Sequence, residues 1–430
     1  MSTPASASAS FPASNSASVS LQDALVLPNG QRLKNRIAKA AMEEALAEPG
    51  QLPGAASQQL YRRWAEGGAG LLITGNVMVA PDALTGPGGL VLQAGTPLAP
   101  YRAWAAAAKT GGTRVWMQIN HPGRQVFAAL GNPGFAPSDV ALDMGKHGKL
   151  FAPVRALTEP EIAAIVRRFA DTARAAREAG FDGVQIHAAH GYLLSQFLSP
   201  LANRREDGYG GPIAHRARLL MEVVRAVKAV AGPDFAVAVK LNSADFQRGG
   251  FDEADARAVI EMLNAEGIDL LELSGGSYES PAMQGRTADG RTLSREAYFL
   301  EFARELAGLA RMPVMTTGGI RRRAVAQQVL DSGIALVGIG TALAYAPDLP
   351  AQWMAAEAVA QPVAVGWKNK AMASLATMAL ARRQLHRMAA GRAPSRRVSP
   401  FLTLVLDQWR ASRLTRRYLA WRAQAAGTGG

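Results

Sequence analysis

Two histidines and a tyrosine stand close together in the run GVQIHAAHGY, as His187, His190 and Tyr192. As neutral imidazoles, the two histidines can hold a carbonyl oxygen and draw electron density out of a conjugated alkene. Tyr192, with an unperturbed pKa of about 10, is a protonated acid at neutral pH and can give up its proton during a reaction. Zinc ligation is set aside, because the four other histidines are not placed with a carboxylate to complete a ligand set. The plain alternatives are a hydrogen-bonded histidine pair that closes a loop and a structural tyrosine. Gln118 adds a donor and an acceptor on one side chain, and Lys240 adds a positive charge or one half of an ion pair. Two glycine turns complete the set: TTGG with Gly318 and Gly319, and GIGT with Gly340 and Thr341. Glycine lets backbone N–H groups approach a phosphate, and the helix start that follows adds a favourable dipole.

These residues need a scaffold that brings them to one place. Eight apolar runs alternate with amphipathic segments, as expected of parallel strands joined by helical crossovers. The runs are RIAKAAM to Met42, GLLITGNV to Val77, RVWMQIN to Asn120, GVQIHAA to Ala189, FAVAVKLN to Asn242, LLELSGG to Gly276, PVMTTGG to Gly319 and ALVGIG to Gly340. Eight repeats favour closure into a TIM (β/α)8 barrel, an α/β fold whose active sites lie at the C-terminal strand ends. Every residue singled out above falls at or just past such an end. Between the runs, Thr158 and Glu161 form a capping box and Gly180 stops the helix that they start. Asn29-Gly30 marks an N-terminal hairpin suited to plugging the bottom of the barrel. The long crossovers Gln125–Pro153 and Ser277–Ser294 read as substrate loops.

Composition narrows the function. With no cysteine among 430 residues, disulfides, thiolate nucleophiles, iron–sulfur clusters and cysteine-held zinc are excluded. The net charge of +13 is concentrated beyond Gln361, where 13 Lys and Arg face one Asp. The remainder is near neutral, which does not favour nucleic acid as the main partner. Residues 1–20 read as a disordered leader without the features of a signal peptide, and no run is long enough to span a bilayer, so a cytoplasmic location is expected.

The segment HAAHGYLLSQFLSPLANRREDGYGG, from His187 to Gly211, resembles the signature of the Old Yellow Enzyme family of NAD(P)H:flavin oxidoreductases. KNRIAKAAM, QINHPGRQ, VKLNSADFQRGGF and TTGGI resemble the same family, and the likeness covers about Leu21 to Pro350. The resemblance implies tightly bound FMN, NADH or NADPH as reductant, and reduction of the activated C=C bond of an α,β-unsaturated carbonyl substrate, an enone. It also implies that Ala41, Met42 and Gly75 line the isoalloxazine and that Gln118 bonds its pyrimidine edge. Lys240 would sit near N1 and O2, with Gly318, Gly319 and Gly340 on the phosphate. His187 and His190 would bind the carbonyl, and Tyr192 would protonate the neighbouring carbon. An amine dehydrogenase or demethylase, or a flavin-binding sensor, is the alternative on this scaffold.

Three positions depart from the family pattern: Lys240 for Arg, Thr341 for the Arg after the phosphate glycine, and Glu43 for a Thr or Cys near the flavin C4 carbonyl. A carboxylate at Glu43 would oppose an anionic reduced ring, so it is expected to be neutral beside the apolar Ala40-Ala41-Met42 run, with turning aside to pair with a neighbouring base as the alternative. The expected layout is a barrel over residues 21–358 followed by a basic helical extension over 359–430. In the extension, Leu402, Val405, Leu406 and Trp409 share one stripe. Packing on the barrel or on a partner subunit in a homo-oligomer is expected of it, with peripheral membrane contact and nucleic-acid contact as the alternatives.

Overall fold

A computed structural model describes residues 19–280, 296–297 and 299–427. Most of the leader, and the Ser277–Ser294 loop beyond Ser280, lie outside the described residues. Eight parallel strands form the barrel: β1 (Ile37–Lys39), β2 (Leu71–Ile73), β3 (Arg114–Asn120), β4 (Gly183–Ala188), β5 (Ala236–Asn242), β6 (Leu270–Ser274), β7 (Val314–Thr316) and β8 (Leu336–Ile339). Each pairs with its neighbours in sequence, and β8 returns to β1 to close the ring. Several strands end before the apolar run does. β2 stops at Ile73, and Val77–Met78 forms a separate short strand against the end of β3 and against Leu90–Val91.

Strand alternation divides the apolar side chains of the barrel strands between two cores. Outward residues such as Val115, Met117, Ile119, Val184, Ile186, Val237, Val239, Leu271 and Leu273 pack in one cluster with the surrounding helices. Those helices include α1 (Ala55–Glu66), α2 (Ala99–Ala108), α3 (Glu159–Glu178), α4 (Arg218–Ala231), α5 (Glu253–Glu266), α6 (Leu300–Ala307), α7 (Arg323–Asp331) and α8 (Leu349–Ala355). Inward residues Ala38, Leu71, Ile73, Trp116, Ala236, Ala238, Leu270, Met315 and Leu336 form a second, smaller cluster. That cluster also takes Leu25, Leu27 and Leu33 from the N-terminal hairpin, whose turn has Gly30 at φ 81°. The hairpin plugs the lower end of the barrel. Its Gln31 Nε2 donates to Asp182 O at 2.8 Å, and Asn29 N–H donates to Asp269 Oδ1 at 3.1 Å, both acceptors lying just before strands.

The same alternation puts Gln118, Gln185, His187, Lys240, Glu272 and Ser274 on the inward face, one layer above the apolar floor. In register, Gln118 lies beside Gln185, His187 beside Lys240, and Lys240 beside Glu272. Thr158 caps α3 as expected, its backbone N–H donating to Glu161 Oε2 at 2.9 Å.

The extension forms two helices, α9 (Lys370–Ala389) and α10 (Pro400–Gly427), packed on each other and on the barrel. The contact is not made by the apolar stripe, for Leu402, Val405, Leu406 and Trp409 are 50–60% exposed. Thr403, Leu404, Leu414 and Tyr418 are buried instead. Tyr418 sits in a pocket with Met78, Leu84 and Val126, where its hydroxyl donates to Pro81 O at 2.8 Å and accepts from Asn132 Nδ2 at 2.6 Å. Among the described residues no helix is long and apolar enough to cross a membrane.

Candidate active site

His187 ends the inward row of β4, and the chain then turns sharply through His190 at φ 61° and Gly191 at φ 72°. A histidine in the left-handed region is uncommon, and here three bonds hold it. Its N–H donates to Asn242 Oδ1 at 3.2 Å, its carbonyl accepts Gln125 Nε2 at 3.1 Å, and its Nε2 is 2.8 Å from Ser274 Oγ. The turn brings the three rings together. His187 lies edge-on to His190 at 5.1 Å and to Tyr192 at 4.8 Å between centroids. Tyr192 OH is 3.1 Å from the hydroxyl of Tyr278, a residue of the loop after β6 that the sequence reading did not single out.

Burial fixes the protonation of this group. The pKa of His187 lies well below 6.5, first because it is desolvated and second because of the Lys240 charge. His190 is depressed for the same reasons, with His187 adding to them. Tyr192 is raised well above 10 by burial, then by Tyr278 and the Glu43 carboxylate. The site therefore presents two neutral imidazoles and a protonated phenol. His187 Nδ1 accepts the Ala189 N–H at 3.3 Å, which leaves Nε2 as the protonated nitrogen.

Across the floor of the mouth runs a buried polar chain. Gln118 Nε2 donates to Gln185 Oε1 at 2.8 Å, Gln185 Nε2 donates to Glu272 Oε2 at 2.7 Å, and Lys240 Nζ lies 2.8 Å from Glu272 Oε1. Lys240 is thus the half of an ion pair that the sequence left as its alternative, still beside His187. Gln185 and Glu272 escaped notice although their strand periodicity carries the signal, each lying two residues from another inward polar group.

On the opposite side, after β7 and β8, Gly318 has φ 129° and Gly319 φ 73°. Among the described residues no protein acceptor is hydrogen-bonded to the N–H of Gly318, Gly319 or Gly340, and a Cβ on Gly340 would meet open space. N–H groups without a described protein acceptor, with open space at Gly340, suit a phosphate. Since β8 stands across the ring from β4, a ligand that used both ends would lie over the Gln118–Lys240 floor. These features fit FMN: a cradle of unbonded N–H groups, a buried amide and ammonium, and neutral donors beyond them. Thr341, at the turn after β8, is exposed.

Ala41, Met42, Glu43 and Gly75 lie at the rim above β1 and β2. A small cleft is lined there by Glu43, Glu44, Gly75, Asn76 and Gly88. Ala41 packs on the inner cluster and Met42 on the outer one. Glu43 turns its carboxylate to the Thr85 hydroxyl, which donates at 2.7 Å, and it still bears electrostatically on Tyr192 and Tyr278. Gly75 is pinned from below: its N–H donates to Glu44 Oε1 at 3.2 Å and to Tyr61 OH at 3.0 Å. A Cβ at Gly75 would collide with Met42 O and the Glu44 carboxylate. Lys39, fully buried on the outward face of β1, bonds Glu44 Oε1 at 3.2 Å, Tyr61 OH at 3.2 Å and Ile73 O at 2.9 Å. Its ammonium also lies 4.4 Å from the Trp64 ring centre. Lys39, Glu44 and Tyr61 were missed because a lysine in a three-residue outward strand reads as surface.

The sequence matches the NADH:flavin oxidoreductase / NADH oxidase family over residues 26–356. It is 35% identical over 350 residues to the NADH-dependent flavin oxidoreductase iliE of Hypocrea jecorina (strain QM6a), covering 76% of this chain and 86% of that one. A Neonectria protein of the same description is 37% identical over 351 residues, which span 76% of this chain and 46% of that longer one. The old yellow enzyme homologue from Zymomonas mobilis superimposes with a TM-score of 0.67 at 26% identity, over 80% of this chain and 95% of that one. Morphinone reductase does so with a TM-score of 0.66 at 26% identity, over 81% and 93%. The chain belongs to the NADH:flavin oxidoreductase / NADH oxidase family and is an FMN-dependent oxidoreductase of the Old Yellow Enzyme type that draws on a nicotinamide reductant.

Proposed function

We propose that the chain reduces the activated C=C bond of α,β-unsaturated carbonyl compounds. The observation that carries this reading is the ring cluster of buried His187 and Tyr192 with half-buried His190, two neutral donors beside one protonated acid. FMN, when bound, would supply the hydride chemistry that links the nicotinamide to the β-carbon of the alkene. The protein residues handle the charge that results. His187 Nε2–H, with a donor from His190, holds the carbonyl oxygen as negative charge develops on it, in a site screened from water. Tyr192 then delivers its proton to the α-carbon, and the Tyr278 hydroxyl at 3.1 Å donates to the phenolate left behind. Gln118 would hold the pyrimidine edge of FMN, Lys240 its N1–O2 side, and Gly318, Gly319 and Gly340 its phosphate. Ala41, Met42 and Gly75 would line the ring, with Glu43 held by Thr85 at its edge and Thr341 beside the phosphate.

Anaerobic rapid mixing tests the reading. Bleaching by NADH or NADPH followed by reoxidation with 2-cyclohexenone is the expected result. Bleaching by amines with no response to enones would replace it with the dehydrogenase chemistry, and response to neither would leave a flavin-binding protein without reductase activity.

A further inference from the structure

The extension lies beyond the residues that match the family, yet it rests on the rim of the active site. His386 of α9 donates from Nε2 to Glu44 O at 2.9 Å, and Arg417 of α10 donates from Nη2 to Ala47 O at 2.8 Å. Glu44 and Ala47 follow β1, and Pro81, the partner of Tyr418, follows β2, so both helices sit against loops at the C-terminal end of the barrel.

Two arginines of this layer are left with free donors. Arg382 lies one helical turn before His386, on the same face of α9. Its Nη1 donates to Asp407 Oδ2 at 2.6 Å, while its Nε is shielded from solvent and has no acceptor. Arg410 follows Asp407 by one turn of α10, is half-buried, and has no hydrogen bond or ion pair among the described residues. Asp407 offsets only one of the two charges, and Arg413 and Arg417 add more positive charge, so burial and like charges together lower the pKa of Arg410. Glu43, bonded to Thr85, forms no ion pair with either arginine. Arg382 is near enough to Tyr278 to favour its phenolate, and Tyr278 touches the proposed proton donor. An unpaired, half-buried guanidinium is unfavourable until an anion meets it with charge-assisted hydrogen bonds.

We propose that Arg382 and Arg410 form an anion-binding subsite at the active-site mouth, which receives a carboxylate or phosphate of the molecule reacting there. The inference rests on the ene-reductase reading for its substrate arm alone. Two sources share this chemistry: an acidic enone and the pyrophosphate of the nicotinamide dinucleotide.

The test compares the FMN-loaded wild type with Arg410→Gln and Arg382→Gln, using Arg416→Gln, an exposed position on α10, as control. Flavin reduction is measured with NADH against the uncharged donor 1-benzyl-1,4-dihydronicotinamide. Reoxidation is measured with 3-oxocyclohex-1-ene-1-carboxylate against 2-cyclohexenone. Loss of one charge-assisted contact should lower the second-order rate constant by about 10- to 100-fold for an anionic member only. Arg410→Lys should restore part of the loss. A loss confined to the carboxylate enone assigns the subsite to substrate, and one confined to NADH assigns it to the dinucleotide. Equal changes within both pairs, or none, would overturn the proposal. If no enone reoxidises the wild type, the ene-reductase reading fails while the NADH pair still decides for or against the subsite. Melting temperatures identify a variant that has lost its fold, and the other arginine variant then gives the result.

Discussion

At the scale of single residues, burial opposes charge on each member of the ring cluster, so His187 and His190 are neutral and Tyr192 is protonated. Tyr192→Phe removes a proton and one oxygen from a cluster whose other members remain. Reduction of the flavin by NADH should stay close to wild type, while enone reduction slows by about 10²-fold or more, as for loss of a general acid. Equal slowing of both half-reactions in rapid mixing would remove Tyr192 from the role of donor. The histidines make a separate prediction, in stability. His187 and His190 are held neutral with folded pKa values well below their ordinary 6.5. Below about pH 6.5 the unfolded chain therefore binds more protons than the folded one, and stability falls as pH drops. Their contribution is fully present above that pH. Each group should add a slope of about 1.4 kcal/mol per pH unit below it. Melting curves from pH 7.5 to 5 should thus be less steep in pH for His187→Gln than for wild type, and parallel curves would contradict the assignment.

At the scale of elements, β1 and its loop are held by a buried charge. Lys39 sits between β1 and α1 with its pKa lowered by burial, partly offset by Glu44. Its removal leaves the Glu44 carboxylate buried without its cation, and breaking such a pair costs about 3–5 kcal/mol. Lys39→Ala should show that loss in denaturant unfolding, whereas a change under about 1 kcal/mol would mean that Glu44 finds another partner. The signature after Tyr192 is largely scaffold of a similar kind. Asn203 Nδ2 donates to Phe197 O and Tyr209 O, both at 2.7 Å, and Arg205 Nη1 donates to Leu157 O at 2.6 Å. The extension shows how periodicity can mislead. Its apolar stripe is real and helical, but the buried face is set by Leu414 and Tyr418, because the loop surface offers their pocket and the acceptor Pro81 O.

At the scale of the molecule, the barrel puts the glycine turns after β7 and β8 opposite the histidines of β4. Denatured holoprotein should accordingly release FMN and not FAD, as chromatography of the yellow supernatant will show. A colourless protein that takes up no added FMN would contradict FMN dependence. Much of this was legible beforehand. Eight apolar runs alternating with amphipathic segments point to a barrel, and a barrel brings strand ends to one face, so the placing of His187, His190, Tyr192, Gln118, Lys240 and the glycine turns at that face could be expected without coordinates. What required the fold was partnership between residues distant in the chain. Tyr278 meets Tyr192, Glu272 meets Lys240, Glu44 meets Lys39 and Gly75, and His386 reaches the Glu44 carbonyl from the far end of the sequence. Local pattern states which way a side chain faces along its own element, because backbone geometry alone decides that. Which side chain meets it there depends on how separate elements pack, and that is a property of the assembled chain.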